Sequence, residues 1–381
     1  MGVSEDEAGD PFACFDSSDD ESDTEQAQTE ALSDEQQVEE NTRDPGNGVL
    51  AFHAGTEVAL LHHVKTELAK KKNPKENESS GKQAIIHQAQ TVLDLVDSYC
   101  LSRHWMMHVG PKKAYPLRNF ISGSVMEYET QKDDKPFTIV ELGTYCGYSS
   151  IFIAKTILEH RLGNRRQTST IGGSSKGAAE TSETDDDFSF HIYSVEVVEK
   201  FAAVAKELIQ LAGMESYISI LLIKEPDIIE AAAQKGKGQS SPLSSQLKRR
   251  LPVSKRNEDE AFAIDFLFVD HDKSLYLPNL QELEQSRMIR KGTHVAADNV
   301  IFAQIQDYRN HMAILADKGI VSTRLEDSLF VEYCQPELGQ LESGESATET
   351  EKNTAAAQKD MMRDGIEFSV YLQNPLVITQ E

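Results

Sequence analysis

From residue 137 onward the apolar positions alternate between two rhythms. Phe137-Thr-Ile-Val-Glu141 is a short β-branched run that closes on a glycine-rich turn. Residues 149–159 follow with helical spacing, with Ile151, Ile153, Ala154, Ile157 and Leu158 mostly on one face. The pattern then predicts a strand over His191–Glu196, an amphipathic helix over Lys200–Ala212 closed by Gly213, and a strand over Tyr217–Ile223. Ile264–Asp270 is apolar enough for a strand buried on both faces. A helix over Leu277–Ile289, a strand over Thr293–Asp298 and a helix over Gln304–Asp317 complete the alternation. Leu329–Tyr333 and Ile366–Leu372 are predicted to pair as antiparallel edge strands, and Ala59–Lys71 and Ala84–Ser98 read as two helices ahead of the first strand. Alternating strands and helices predict an α/β fold: a doubly wound, mostly parallel sheet with helices on both faces and an antiparallel edge at the C-terminal end.

Composition changes this picture at the ends and in three places between. Only 39% of the 381 residues are hydrophobic, which is low for a chain that packs throughout. The first 45 residues carry sixteen acids against one base, Arg43, so residues 1–48 are expected to form an acidic disordered tail ahead of a single domain over 49–381. Three low-complexity insertions are expected in that domain, near 161–187, 235–260 and 335–359. The middle one ends in basic residues (Lys248-Arg249-Arg250, Lys255-Arg256), readable as a nuclear localisation signal but better as a solvated loop.

The net charge of −25 repels phosphate backbones, so nucleic acid is not an expected partner. Cys14, Cys100, Cys146 and Cys334 show no CxxC pairing and read as free thiols in a reducing compartment. No run reaches the ~18 apolar residues of a membrane span, and Met1–Asp6 has no signal-peptide or myristoylation pattern. The expectation is a monomer in the cytoplasm, with the nucleus left open, acting on a small molecule.

In a doubly wound sheet, ligands sit beyond the carboxyl ends of the strands. The first predicted strand ends in Glu141-Leu-Gly-Thr-Tyr-Cys-Gly-Tyr-Ser149, the second in Glu196, the fourth in Asp270-His271-Asp272-Lys273, the fifth in Asp298-Asn299. Helix caps would explain one or two of these acids, but not the set. Gly143 and Gly147 allow a sharp turn and close backbone approach, without the GxGxxG spacing of dinucleotide sites or the lysine of a P-loop. A glycine loop begun by one acid, with a second acid closing the next strand, fits a nucleoside with a cationic centre, the second carboxylate accepting both ribose hydroxyls. Asp270, Asp298 and Asn299 form an all-oxygen set suited to magnesium or calcium, leaving roughly three octahedral positions for water and substrate. Lys273 follows three residues after Asp270; a divalent cation beside it disfavours its protonated form, which suits a general base.

These residues resemble the catechol O-methyltransferase family. The likeness runs from about Ala59 to Pro375 and is carried by Val140–Ser150, Asp270–Pro278, Lys291–Val300, Asp364–Tyr371 and the upstream Tyr99–Lys113. It implies a Rossmann-like, S-adenosylmethionine-dependent, magnesium-dependent enzyme that methylates one hydroxyl of a catechol. By the same resemblance Asp270, Asp298 and Asn299 bind magnesium and Lys273 is the base. Glu332 accepts a hydrogen bond from the hydroxyl that is not methylated, and Trp105 and Met107 line the substrate pocket with Lys273 and Asn299. Glu196 holds the ribose; Glu141, Gly143, Tyr145, Ser149 and the Val109 backbone hold the methionine portion; His271 lies near the adenine. The sequence departs from the family at Asp272 (a tryptophan there), Ala303 (a gatekeeping proline) and Glu225-Pro226 (a Ser-Gln pair), so the substrate and the cofactor affinity are left open. A cation-dependent O-methyltransferase of another vicinal-diol phenol, phenylpropanoid or flavonoid, would use the same metal set. A degenerate binding module is disfavoured because no ligand and no lysine is lost.

Overall fold

A computed structural model describes residues 55–71, 81–103, 106, 108–131, 135–171, 188–223, 242–250, 262–330 and 363–375. The expected acidic tail, the 335–359 insertion, Cys14, Cys334 and Glu225-Pro226 lie outside the described residues.

Seven strands form one sheet in the order β3-β2-β1-β4-β5-β7-β6. They are β1 (Phe137–Leu142), β2 (Phe190–Glu196), β3 (Ile218–Leu222), β4 (Phe266–Val269), β5 (His294–Ala297), β6 (Val321–Phe330) and β7 (Arg363–Tyr371). The first five are parallel, and β7 runs antiparallel between β5 and β6. The expected antiparallel pairing is therefore present. However, β6 begins at Val321, eight residues before the predicted Leu329, and of the two antiparallel strands only β6 is an edge, because β7 inserts beside β5. Six positions from Ser322 to Ser328 are polar or charged, with only Leu325 apolar among them, and this hides the period-2 signal of the strand.

The helices are α1 (Thr56–Lys71), α2 (Lys82–Ser102), α3 (Gly110–Thr130), α4 (Tyr148–Ile171), α5 (Glu199–Leu211), α6 (Pro242–Arg250), α7 (Tyr276–Gln285) and α8 (Gln306–Asp317). Two apolar clusters sandwich the sheet. Phe266 and Phe268 point into the one that also takes residues from α1 to α5, and Leu267 and Val269 into the one shared with α6 to α8. The pleat sends successive side chains to opposite faces, so β4 must be apolar at every position, as its sequence shows.

Three helices differ from expectation. The pattern does not predict α3, although Leu117, Phe120, Ile121, Ser124, Val125 and Tyr128 are buried at helical spacing; Pro116 and Gly123 inside it obscure the period. The helix expected to end near Glu159 runs on to Ile171, into the stretch read as an insertion. The stretch near 235–260, read as a loop, holds α6, whose Leu243 and Leu247 are 3% and 0% exposed. Two leucines four residues apart share one helical face and bury it, while Lys248, Arg249 and Arg250 stay exposed.

Candidate functional site

The order of the strands reverses at β1 and β4, and the residues singled out in the sequence sit at their carboxyl ends, where such sheets bind ligands. After β1 the chain turns through Gly143, with φ 97°. A β-carbon there would lie 2.2 Å from the Asp270 carbonyl oxygen. The close approach that demands glycine is thus to the backbone after β4, rather than to a ligand, and it is what brings the β1 and β4 loops together. Gly147 (φ 82°) lets α4 begin against Ala205 of α5, where a β-carbon would meet the Ala205 methyl at 3.3 Å. Gly143→Ala combines a forbidden φ with a backbone collision. It should lower the unfolding free energy by at least about 2–3 kcal/mol, read by denaturant titration; a variant as stable as the wild type would show that the loop has another conformation.

Glu141 is fully buried in β1. One carboxyl oxygen accepts from the Ser150 and Ser194 hydroxyls, while Oε1 is buried with no hydrogen-bond partner, although Ser149 stands beside the carboxyl. Burial pushes its pKa up to about 7 against the pull of those serines. Glu196, at the end of β2, spends its carboxylate on its surroundings: Oε2 accepts from the Tyr145 N–H at 2.8 Å, and Oε1 from the N–H groups of Val197 and Val198 at 2.8 and 2.9 Å. These bonds fix its rotation and occupy part of the capacity assigned above to ribose. Tyr145 itself has φ 46°, and its hydroxyl donates to the buried Glu57 of α1 at 2.9 Å.

Beyond β4 and β5 the expected metal ligands and base come together. The Lys273 ammonium donates to Asp270 Oδ1 at 2.9 Å, Asn299 Oδ1 at 2.8 Å and the Tyr276 hydroxyl at 2.9 Å. Two of the three candidate ligand oxygens therefore converge on one cation. The third candidate, Asp298, is 2% exposed. Its Oδ1 accepts from the Lys113 ammonium at 2.8 Å and from the Asn299 N–H at 2.8 Å. The same ammonium donates to Asp364 Oδ2 at 2.5 Å, which also accepts from Asn299 Nδ2 at 2.8 Å. One lysine thus serves two buried carboxylates with opposite outcomes. Burial, with the negative charges of Asp270 and Asp364, raises Asp298 to about 6 in spite of Lys113. Asp364 is also penalised by burial, but Lys113, Asn299 and the Phe302 N–H outweigh it and lower its pKa.

Asn299 adopts φ 59°, a left-handed conformation that Asn tolerates better than most residues, and this aims its amide between Lys273 and Asp364. His271 stacks on Tyr276 with ring centroids 5.2 Å apart and bonds Asn279 through Nε2, while its buried Nδ1 has no hydrogen-bond partner. Burial and then the Lys273 ammonium lower its pKa to about 3, so the ring is neutral.

The departure at Asp272 has a local role: its carboxylate accepts from the Ser274 N–H and hydroxyl and caps the short 3-10 turn that carries Lys273. Ala303 is half-buried, its N–H bonded to the Asn299 carbonyl. Val109 is buried at the start of α3, and Ser149 is buried beside Glu141. Trp105, Met107 and Glu332 lie outside the described residues. Among the described residues no three His, Cys, Asp or Glu side chains gather as a metal cluster; the set above is two carboxylates and an amide. No described helix is long and apolar enough to cross a membrane. Cys100 and Cys146 are buried free thiols. The sequence does not reveal Lys113, Asp364, Tyr276 or Glu57 as site residues, although Lys113, Tyr276 and Asp364 lie within the segments that carry the family likeness. A lysine in a sequence reads as solvated, and only the fold shows it buried between carboxylates.

No family model matches the chain. It is 26% identical over 252 residues to catechol O-methyltransferase of Bos taurus, covering 66% of this chain and 67% of that protein. It is 27% identical over 219 residues to catechol O-methyltransferase of Mus musculus, covering 58% of this chain and 59% of that one. The chain thus spans roughly two thirds or less of the length of these two relatives. Among solved structures it is similar to an O-methyltransferase from Bacillus cereus in complex with SAH, with a TM-score of 0.40 and 15% identity over 81% of this chain and 99% of that one. The sheet order, the acidic strand ends and the sequence relatives define the class, a Rossmann-like O-methyltransferase. Within that class, its sequence relatives are catechol O-methyltransferases, in keeping with the resemblance read from the residues.

Proposed function

We propose that this chain transfers a methyl group from S-adenosylmethionine to one hydroxyl of a catechol in a magnesium-dependent reaction. The observation that carries the reading is the convergence of Asp270 Oδ1 and Asn299 Oδ1 on one ammonium, beside the buried Asp298. That is a hard-oxygen set, which fits magnesium. The buried, unpartnered Glu141 Oε1 and His271 Nδ1 fit a cofactor bearing both a cationic amino-acid end and a nucleoside base. When bound, magnesium acidifies a coordinated hydroxyl and S-adenosylmethionine supplies the methyl group.

The chain's own residues then have distinct tasks. Asp270, Asp298 and Asn299 fix where the reacting oxygen sits, and Glu141, Glu196, Val109 and the 143–147 loop fix the donor, so both reactants are held on the rigid ends of neighbouring strands. Lys273 Nζ is the group placed to take the hydroxyl proton, with the Tyr276 hydroxyl holding the side chain in place. Tyr276 is anchored in turn by donating to the Asp298 carbonyl at 3.0 Å.

The test is methyl transfer to a panel of catechols, with single-hydroxyl phenols and flavonoids alongside. Turnover should need two adjacent hydroxyls, vanish with EDTA and return with magnesium. Full activity in a verified metal-free preparation, or equal rates on single-hydroxyl phenols, would rule the proposal out. A preference for bulky phenylpropanoid or flavonoid diols would move the substrate assignment and keep the reaction.

A further inference from the structure

One buried polar cluster has no part in the reaction as set out above. His108, on the segment leading into α3, has a side chain only 7% exposed. Its Nε2 meets Asp97 Oδ1 of α2 at 2.9 Å, and its Nδ1 meets the Met106 carbonyl at 3.1 Å. A carbonyl and a carboxylate only accept, so both ring nitrogens must donate and the ring is an imidazolium. Burial alone would pull the His108 pKa down, but the Asp97 hydrogen bond, with the Cys100 side chain beside the ring, carries it up to about 10. Asp97 Oδ2 accepts the Tyr148 hydroxyl at 3.2 Å, and the Tyr148 ring stands edge-on to His108 with centroids 5.0 Å apart at 86°.

The cluster joins three elements at one point. Asp97 lies near the end of α2, Tyr148 opens α4 immediately after Gly147, and His108 immediately precedes Val109. We infer that His108 is a positioning residue, whose two N–H bonds tie Met106 and the start of α3 to α2 and the start of α4 and so fix the Val109 backbone for cofactor binding. The inference rests on the proposed function, because only that reading assigns the Val109 backbone to the cofactor. The choice of residues supports it. A buried ion pair stabilises a fold no better than well-packed apolar groups. What it adds is direction: two bonds from one rigid ring leave the segment no rotation about the contact, and the same carboxylate ties in the helix that follows the glycine loop.

The experiment compares wild type with His108→Phe, which keeps a ring against Tyr148 but donates nothing, and His108→Gln, which can still donate one hydrogen bond. Calorimetric titration with S-adenosylhomocysteine gives Kd, and initial rates give KM for S-adenosylmethionine and kcat. His108→Phe should weaken Kd and raise KM by roughly 10-fold or more, the scale of a lost charge-assisted hydrogen bond, with kcat at saturation changed by less than about 3-fold. His108→Gln should recover part of the loss. A merely structural role would lower kcat, stability and affinity together, without rescue, and that result overturns the inference. If the phenylalanine variant does not fold, Asp97→Asn, which keeps the shape and loses the charge, should show the same split to a smaller degree. No change in Kd there also overturns it. A wild type that does not bind S-adenosylhomocysteine removes the proposed function and this inference with it. Binding by the wild type with variants unchanged removes the inference alone.

Discussion

Lys273→Ala should lower the methyl-transfer rate by roughly 10²–10⁴-fold, the usual loss when a positioned acid–base group is removed. The ammonium lies 2.9 Å from Asp270 Oδ1 and 2.8 Å from Asn299 Oδ1, within reach of any oxygen those two side chains help to hold. If Asp270, Asp298 and Asn299 hold a divalent cation as proposed, it would acidify a coordinated hydroxyl within reach of the Lys273 nitrogen. S-adenosylhomocysteine affinity should survive nearly unchanged, because the lysine touches neither Glu141 nor Glu196. Magnesium affinity should hold or rise, because a competing positive charge is gone. The residual rate should climb with pH as hydroxide replaces the missing base. A pH–rate profile of the variant beside calorimetric titrations decides it: a normal rate at neutral pH would make Lys273 an ordinary loop lysine.

Lys113→Met should be the most destabilising single change at the site. The lysine side chain is 3% exposed, and its partners Asp298 and Asp364 are 2% and 0% exposed. Removing the cation leaves two buried carboxylates facing each other, and breaking such a pair from one side costs about 3–5 kcal/mol. For a domain of this size that lowers Tm by roughly 6–20 °C. Adding Asp364→Asn should restore part of the loss, because one of the two stranded charges is removed with little change of shape. Differential scanning calorimetry of the single and double variants reads both effects. A single variant melting within about 2 °C of the wild type would show that the cluster relaxes or takes in water, and that Lys113 does not hold Asp298.

The particular residues show what could be read from the sequence and what could not. β4 was legible because a strand covered on both faces is apolar at every position, and β1, β2 and β5 because each is a short, mostly apolar run that closes on an acid. The acids closing those strands stood out against that background, so Glu141, Glu196, Asp270 and Asp298 could be picked out as a set. Asp298 and Asp270 share a site because β4 and β5 pair in parallel, with Val269 opposite Ala297; the alternation of elements predicts parallel strands, and the fold decides which are neighbours.

Tertiary structure decided the rest. Helix α3 escapes the sequence because Pro116 and Gly123 mask its buried stripe. α6 escapes because two leucines are too few to set a period until the sheet face they cover is known. Gly143 reads as a ligand-approach glycine, but its close neighbour is the Asp270 carbonyl, on a loop 127 positions away. Lys113 reads as a surface lysine, and only the packing of α3 against the ends of β5 and β7 places it between Asp298 and Asp364. The physical division is one of range. Periodicity and backbone preference act over a few residues and are written into the chain locally. The partner of a buried charge is chosen by contacts between distant segments, and a charged residue carries no mark in the sequence of whether water or another charge will meet it.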